Sequence, residues 1–203
     1  MSAAIILAGG RSKRFGSTDK AIASLAGVPM IRRVADRIAP LVDEIVINCR
    51  SDQHDAIKCA LSGLQHPVSF AHDPEPDRGP LAGIMAGSET LPPSTYAAIV
   101  ACDMPFLDSH MLATLFEIAE GHDGAVPELD GWVQPTHAVF KAGRLHEACA
   151  ASLDAGDDRP VHAIDRLDVK VVDAEELAAD GSLRSFENIN TREAFEAAER
   201  RLQ

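Results

Sequence analysis

A chain of 203 residues, 46% of them apolar, is the size of one compact unit built around one main core. Nineteen basic against thirty-one acidic residues leave a net charge of -12. This excludes general attraction to nucleic acid or to an anionic membrane, so a polyanionic ligand requires a local basic site. Only five of the basic residues are lysines, a balance that fits a high-salt cytoplasm. Cys49, Cys59, Cys102 and Cys149 lack the C-x-x-C spacing of a zinc or redox site, and each reads as a small buried hydrophobe. No basic segment precedes a long apolar stretch at the N-terminus, and no window reaches the length of a membrane span. The expectation is a soluble, cytoplasmic protein.

In chain order, Ala3 to Ala8 is an apolar run stopping at Gly9-Gly10, as a buried parallel strand entering a loop does. Pro29 reads as a first helical residue, and Ile31, Val34, Ala35 and Ile38 follow at helical spacing. Glu44 to Asn48 is a second strand. A helix carrying Ile57, Ala60, Leu61 and Leu64, a strand at Val68 to Ala71, a helix with Leu81, Ile84 and Met85, and an apolar strand at Ala97 to Ala101 continue the alternation. Asp108 is an N-cap for a helix with Leu112, Leu115, Phe116 and Ala119 on one face. Strands follow near Gly124 to Val126 and Val133 to Phe140, then a helix through Leu145 to Leu153, a strand at Val169 to Val172 and a closing helix from about Thr191. This order predicts an α/β fold: one Rossmann-like three-layer domain, a mostly parallel central sheet with helices on both faces, and ligands at the carboxyl ends of the strands. The whole chain, 1–203, reads as one domain, with residues 1–120 as its nucleotide-binding part and 121–203 as its acceptor-binding part.

The densest chemistry follows the first strand. Leu7-Ala8-Gly9-Gly10 leads into Arg11, Lys13, Arg14 and Lys20, four cations within ten positions of an acidic protein. Glycine lets backbone N–H groups turn toward phosphate oxygens, and flanking cations offset the charge, so the segment has the outline of a triphosphate cradle. It matches neither G-x-x-x-x-G-K-[ST] nor G-x-G-x-x-G. A sharp strand-to-helix connection with solvated Arg and Lys satisfies the same residues. Farther on, Ala97 to Ala101 runs into Cys102-Asp103-Met104-Pro105. A carboxylate ending a buried strand is costly to hold without a cation or strong donors. Mg²⁺, which takes one or two carboxylates with water and phosphate oxygens, is the natural partner of Asp103. The alternative is that Asp103 caps the following turn.

Taken together, Leu7 to Lys20 resembles the L-A-G-G-x-S-x-R-x-G-x-x-D-K pattern of the molybdenum cofactor guanylyltransferases, and Cys102-Asp103-Met104-Pro105 resembles that family's metal-binding motif. The likeness extends along nearly the whole chain. It implies that Leu7, Ala8, Gly9, Gly10 and Lys20 cradle the nucleotide and that Gly79-Pro80-Leu81 borders it. Asp73 would contact guanine or ribose, Asn48 would bind the nucleotide, and Asp103 would hold Mg²⁺. Ala8-Gly9-Gly10 stands where related pterin cytidylyltransferases carry A-A-G, which favours guanine. Gln134 and Arg159 would line the acceptor pocket, with Arg159 gripping the pterin phosphate. Phe186 to Thr191 resembles the family's N-I-N-T-P element, with Arg192 in place of the proline, so Asn188 or Asn190 would reach metal or acceptor. Asn190 with Glu193 also fits an ordinary helix cap. His137 is tempting as a base, but a lone histidine in a strand more often has a structural role.

The implied reaction is attack by molybdopterin phosphate on the α-phosphorus of GTP, with Arg14 on the β,γ-phosphates, Lys20 on the α-phosphate and acceptor, and Asp103 acting through Mg²⁺. Other enzymes of molybdenum cofactor assembly, or chaperones of apo-molybdoenzymes, would be hand-over partners. Competing readings are a transferase of the same fold with another base or acceptor, and a noncatalytic GTP-binding adaptor. A nucleotide-sugar glycosyltransferase would carry D-x-D, which Cys102-Asp103-Met104 lacks.

Overall fold

The structure, a computed structural model, describes residues 1–10, 19–72, 78–178 and 183–202. β1 (Ser2–Leu7) leads through a 3-10 turn at Lys20–Ile22 to a short hairpin, β2 (Ser24–Leu25) and β3 (Val28–Pro29), and then α1 (Met30–Ile38). Next come β4 (Glu44–Cys49), α2 (His54–Ala60), β5 (Val68–His72), α3 (Gly79–Glu89), β6 (Tyr96–Ala101) and α4 (Ser109–Ala119). β7 (Gly124–Leu129), β8 (Trp132–Val133), β9 (His137–Lys141), α5 (Ala142–Asp154), α6 (Pro160–Ile164), β10 (Val169–Asp173), α7 (Ala174–Leu177) and α8 (Arg192–Leu202) complete the chain.

The main sheet has the order β10-β7-β9-β6-β1-β4-β5, with β8 paired to β7. β4, β1 and β6 pair in parallel, as do β4 with β5 and β7 with β10, whereas β9 runs antiparallel to both of its neighbours. Register brings Leu7, Asn48, Ala71 and Ala101 to one level at the carboxyl edge. Side chains alternate between two buried layers. Ala4, Ile6, Ile45, Ile47, Ala98 and Val100 pack with α1 and α4 on one face, and Ala3, Ile5, Val46, Ala97 and Ile99 pack with α3 and α5 on the other. Each fully buried isoleucine contributes about 1.5–3 kcal/mol. A third cluster of Leu25, Met30, Phe106, Ile189 and Phe195 fastens α8 to the β2–β3 hairpin.

Four details depart from the sequence reading. Pro29 stands at the N-cap of α1 with ψ at 140°, because it pairs with Ser24 in the hairpin and does not enter the helix. Ala26 and Gly27 have φ of 47° and 80°, the two left-handed positions of a tight hairpin turn. α2 stops at Ala60, short of Leu64, before Gly63 at φ 79°. The strand expected from Val133 to Phe140 is divided: Gln134 still donates to Pro127 O at 2.8 Å, but His137 N turns back to Gln134 O at 3.1 Å. Pairing resumes only at β9, with the register shifted by three residues, so Gln134–Thr136 forms a bulge between β8 and β9. Of the cysteines, Cys49, Cys102 and Cys149 are buried and Cys59 is exposed. No helix among the described residues is long and apolar enough to cross a membrane.

Candidate active site

At the carboxyl edge, Lys20 Nζ forms a salt bridge with Asp103 Oδ2 and donates to Asn190 Oδ1 at 2.8 Å. The side chains of Lys20 and Asp103 are 12% and 11% exposed, so the pair is shielded but still reachable from solvent. Asp103 Oδ1 is buried and has no hydrogen-bond partner among the described residues. A carboxylate oxygen held dry without a donor loses solvation that nothing among the described residues returns, a cost that a cationic ligand would offset. The described residues contain no group of three His, Cys, Asp or Glu side chains that would form a complete metal cage. Magnesium does not require one, since a single carboxylate suffices where phosphates and water fill the remaining positions.

Three chain segments hold this cluster. β6 brings Asp103 to the edge just beyond Ala101, and Cys102 N donates to Leu7 O at 3.0 Å, which extends the β1–β6 ladder. Asp19 caps the Lys20–Ile22 turn by accepting from Ala21 N at 3.0 Å, and its other oxygen accepts from Gln53. The C-terminal segment is pinned twice. Ser185 Oγ accepts from Asp108 N at 2.7 Å, and Ile189 N donates to Asp103 O at 2.9 Å. The second bond swings Asn190 onto Lys20. Asn190 is free for that role because Thr191 caps α8, with Ala194 N donating to Thr191 Oγ1 at 3.2 Å. Asn188 is exposed and bonds Phe186 O at 3.4 Å; it does not join the cluster.

The loop leaving β1 is fixed by two residues that the sequence reading passed over. Arg50 donates to Gly9 O at 2.8 Å and Gly10 O at 3.3 Å, and buried Gln53 donates to Ala8 O at 3.0 Å. Together they set the peptide planes where the chain turns out of the sheet. The available signal was a glutamine buried in a turn directly after a strand. Arg14 and Asp73, both expected at the nucleotide, lie outside the described residues.

Asn48, 2% exposed, donates from Nδ2 to Ala71 O at 3.3 Å, and Ala8 N donates to its carbonyl at 2.8 Å. Its side chain also lies against α3. A Cβ at Gly83 would come within 2.2 Å of Asn48 Oδ1, so glycine is required there. Gly83→Ala should therefore displace Asn48 or α3 and cost about 1–3 kcal/mol. A melting temperature equal to that of the wild type would contradict this packing.

Gly79 and Pro80 open α3, with Gly79 at φ 79°. Leu81 is fully buried in the α3–α5 layer. Gly79 approaches the loop carrying Arg159: its Cβ position lies 3.9 Å from Asp158 O. Arg159 is exposed and forks onto Asp157 at 3.2 and 3.3 Å. His162 first and Arg159 second hold the Asp157 carboxyl far below the usual carboxylate range. Gln134 sits on the bulge and donates to Trp132 O at 2.9 Å; no described contact joins it to Lys20 or Asp103.

Among the described residues, none of the remaining groups makes a solvent-accessible nucleophile–base pair, since the one hydroxyl–imidazole contact, Ser185 with His137, is buried. Burial, reinforced by the adjacent Asp103 charge, pushes the Cys102 thiol up, and burial alone pushes Cys149 up to about 12, so both stay protonated. His137 is buried against Phe186, its Nε2 3.2 Å from Ser185 Oγ, and burial lowers its pKa from 6.5 to about 3. It is a structural histidine. Between pH 6.5 and 3 the unfolded chain binds a proton that the folded one refuses, so this stability is complete above pH 6.5 and declines as pH falls. The loss should reach about 2 kcal/mol by pH 5. Urea titrations at pH 7 and 5 should show a smaller decline in His137→Gln, and equal declines would refute the assignment. A depression of about 390 Å³ lined by Met1, Ser2, Asp43, Tyr96 and Phe116 lies at the opposite, amino end of β1 and β6.

A parallel α/β edge carrying a glycine loop, a shielded Lys–Asp pair and an unpartnered carboxylate oxygen is the site of a phosphate-handling protein. Residues 4–183 match the family model described as the MobA-like NTP transferase domain, and the chain belongs to that family. It is 47% identical over 198 residues to a probable molybdenum cofactor guanylyltransferase of Natronomonas pharaonis, covering 98% of this chain and 96% of that one. To the probable molybdenum cofactor guanylyltransferase of Haloferax mediterranei it is 41% identical, covering 93% and 89%. Among solved structures, molybdopterin-guanine dinucleotide biosynthesis protein A from Archaeoglobus fulgidus superimposes with a TM-score of 0.81 at 25% identity, covering 98% of both chains.

Proposed function

We propose that this chain transfers GMP from GTP to the phosphate of molybdopterin and releases pyrophosphate. The observation that carries the reading is the Lys20–Asp103–Asn190 cluster, with one Asp103 oxygen left bare beside the Gly9-Gly10 turn. The names of the relatives support guanine and molybdopterin, as does Ala8-Gly9-Gly10 in the loop.

An oxygen of the acceptor phosphate attacks the α-phosphorus of GTP, a new P–O–P bridge forms, and the bond to the β-phosphate oxygen breaks. The nucleophile is already an anion at neutral pH, so no general base is required, consistent with the absence of a solvent-accessible nucleophile–base pair among the described residues. Catalysis then rests on position and charge. The Gly9-Gly10 backbone and Arg14 receive the β- and γ-phosphates. Lys20 spans the α-phosphate and the incoming acceptor. Asn48, Asp73 and the Gly79-Pro80-Leu81 backbone hold the nucleoside. Gln134, Arg159, Asn188 and Asn190 serve the acceptor, Asn190 through its contact with Lys20. Asp103 Oδ1 would hold Mg²⁺, which supplies charge neutralisation at the triphosphate when bound. The residues up to 120 would form the nucleotide part and those after it the acceptor part, in a cytoplasmic enzyme that draws on GTP. Its product would pass to later enzymes of cofactor assembly or to apo-molybdoenzyme chaperones.

The test is pyrophosphate release from GTP and from CTP, each with and without molybdopterin and Mg²⁺. Release requiring GTP, molybdopterin and Mg²⁺ together is expected. Preference for CTP would change the base, indifference to molybdopterin would change the acceptor, and GTP binding without release would leave an adaptor.

A further inference from the structure

Trp132 is the only tryptophan in the chain, and 75% of its surface is exposed. It stands on a rigid mount: Asp130 and Gly131 both take left-handed φ, 53° and 78°, and close β7 onto β8 in a two-residue turn. Gln134 then ties back to the Trp132 carbonyl at 2.9 Å.

The register locates it. β10 occupies one side of β7, so β8 pairs on the other side, in line with β9 and toward β6. Ala98 of β6 is level with Val139 of β9, which is level with Ala125 of β7. Four residues farther along both β6 and β7 come Cys102 and Leu129, and Leu129 is the partner of Trp132. The indole therefore stands level with the strand end that carries Asp103, across the gap opened by the Gln134–Thr136 bulge. Leu129 packs against the layer that contains Phe186, and cross-strand partners share a face, so Trp132 projects on the side from which the Asn188–Asn190 segment approaches. Gly9-Gly10, Asn48 and α3 lie on the other flank, around β1, β4 and β5. The flank past β6 and β8 is the one that these groups leave to a second substrate at Lys20.

We propose that Trp132 is an acceptor subsite, its indole stacking on the planar fused-ring head of the molecule whose phosphate is delivered to Lys20. The proposal rests on the transferase reading, because it assumes that the site receives an acceptor at all. A flat nitrogen heterocycle suits an indole face, and an indole held on a two-residue turn loses little freedom on binding.

The single tryptophan makes the contact directly readable. Molybdopterin should quench wild-type emission well beyond its effect on free N-acetyltryptophanamide, which corrects for absorption by the ligand. Trp132→Ala should raise the KM for molybdopterin about tenfold, within the range set by stacking on aromatic side chains, while the KM for GTP and the melting temperature stay unchanged. Trp132→Phe should stay within about threefold of wild type, since it keeps a stacking face. Unaltered emission, or an unaltered molybdopterin KM in Trp132→Ala, overturns the subsite. So does a change confined to sedimentation, which would make the indole a contact between copies. Quenching by molybdopterin without pyrophosphate release would refute the transferase reading and leave the subsite standing, whereas absence of both would remove the two together.

Discussion

Replacing Lys20 by alanine should reduce nucleotidyl transfer by about 10³-fold or more while GTP binding falls far less, on the scale expected when one preorganised charge is removed from a developing transition state. The structure provides a reason for the asymmetry. GTP makes most of its contacts elsewhere in this reading, with the Gly9-Gly10 backbone, Arg14 and the nucleoside pocket. Among the described residues, Lys20 alone meets Asp103 and Asn190 together, from segments 83 and 170 residues away in sequence. It is therefore the group placed to hold the α-phosphate, acceptor and carboxylate in one arrangement. The variant also leaves Asp103 without its cation in a shielded position, and stripping one partner from a buried pair costs about 3–5 kcal/mol. This pair keeps 11–12% exposure, so the low end applies. A Lys20→Ala/Asp103→Asn double variant should recover part of that stability without recovering activity. Stopped-flow or calorimetric GTP binding beside single-turnover kinetics makes the comparison. Equal losses in binding and chemistry would show that Lys20 is only a nucleotide anchor.

The position of the Gly9-Gly10 turn was readable because its residues are local: β1 ends where its apolar run ends, and the glycines follow at once. Asp103 was readable for the same reason, as an acid closing an apolar strand. What escaped was long-range or geometric. Arg50 and Gln53 act on Gly9, Gly10 and Ala8 across some forty positions, and only parallel pairing of β1 with β4 puts them there. Nothing in the composition of β9 announces that it runs against its neighbours, since a strand buried on both faces has the same apolar content in either direction. The β2–β3 hairpin was hidden because strands of two residues have no periodicity. Asp130-Gly131 did carry a hairpin signal, and reading it would have divided the Val133 to Phe140 strand. That Asn190 and not Asn188 meets Lys20 follows from a single backbone bond, Ile189 to Asp103, that no residue pattern encodes.

Asp103→Asn should be as damaging to transfer as the lysine change, with a different thermodynamic signature. Asparagine keeps the shape of the side chain, so Ile189 can still bond the residue 103 carbonyl and the C-terminal segment should stay in place. What disappears is the negative charge, while an amide atom takes the place of the buried oxygen that has no hydrogen-bond partner among the described residues. In the wild type, a nonhydrolysable GTP analogue with Mg²⁺ should raise the melting temperature more than the analogue alone, because a ligand bound only by the native state stabilises it by mass action. In Asp103→Asn that Mg²⁺-dependent increment should vanish, while the increment from the analogue alone persists. Transfer should fall by about 10³-fold, with the fall residing in kcat and little of it in the KM for GTP. The ligand-free variant should also lose stability, on the scale of the Lys20→Ala loss, because Lys20 is then left shielded without its carboxylate. An intact Mg²⁺ increment in Asp103→Asn would mean that the cation is held elsewhere and that Asp103 serves only to orient Lys20.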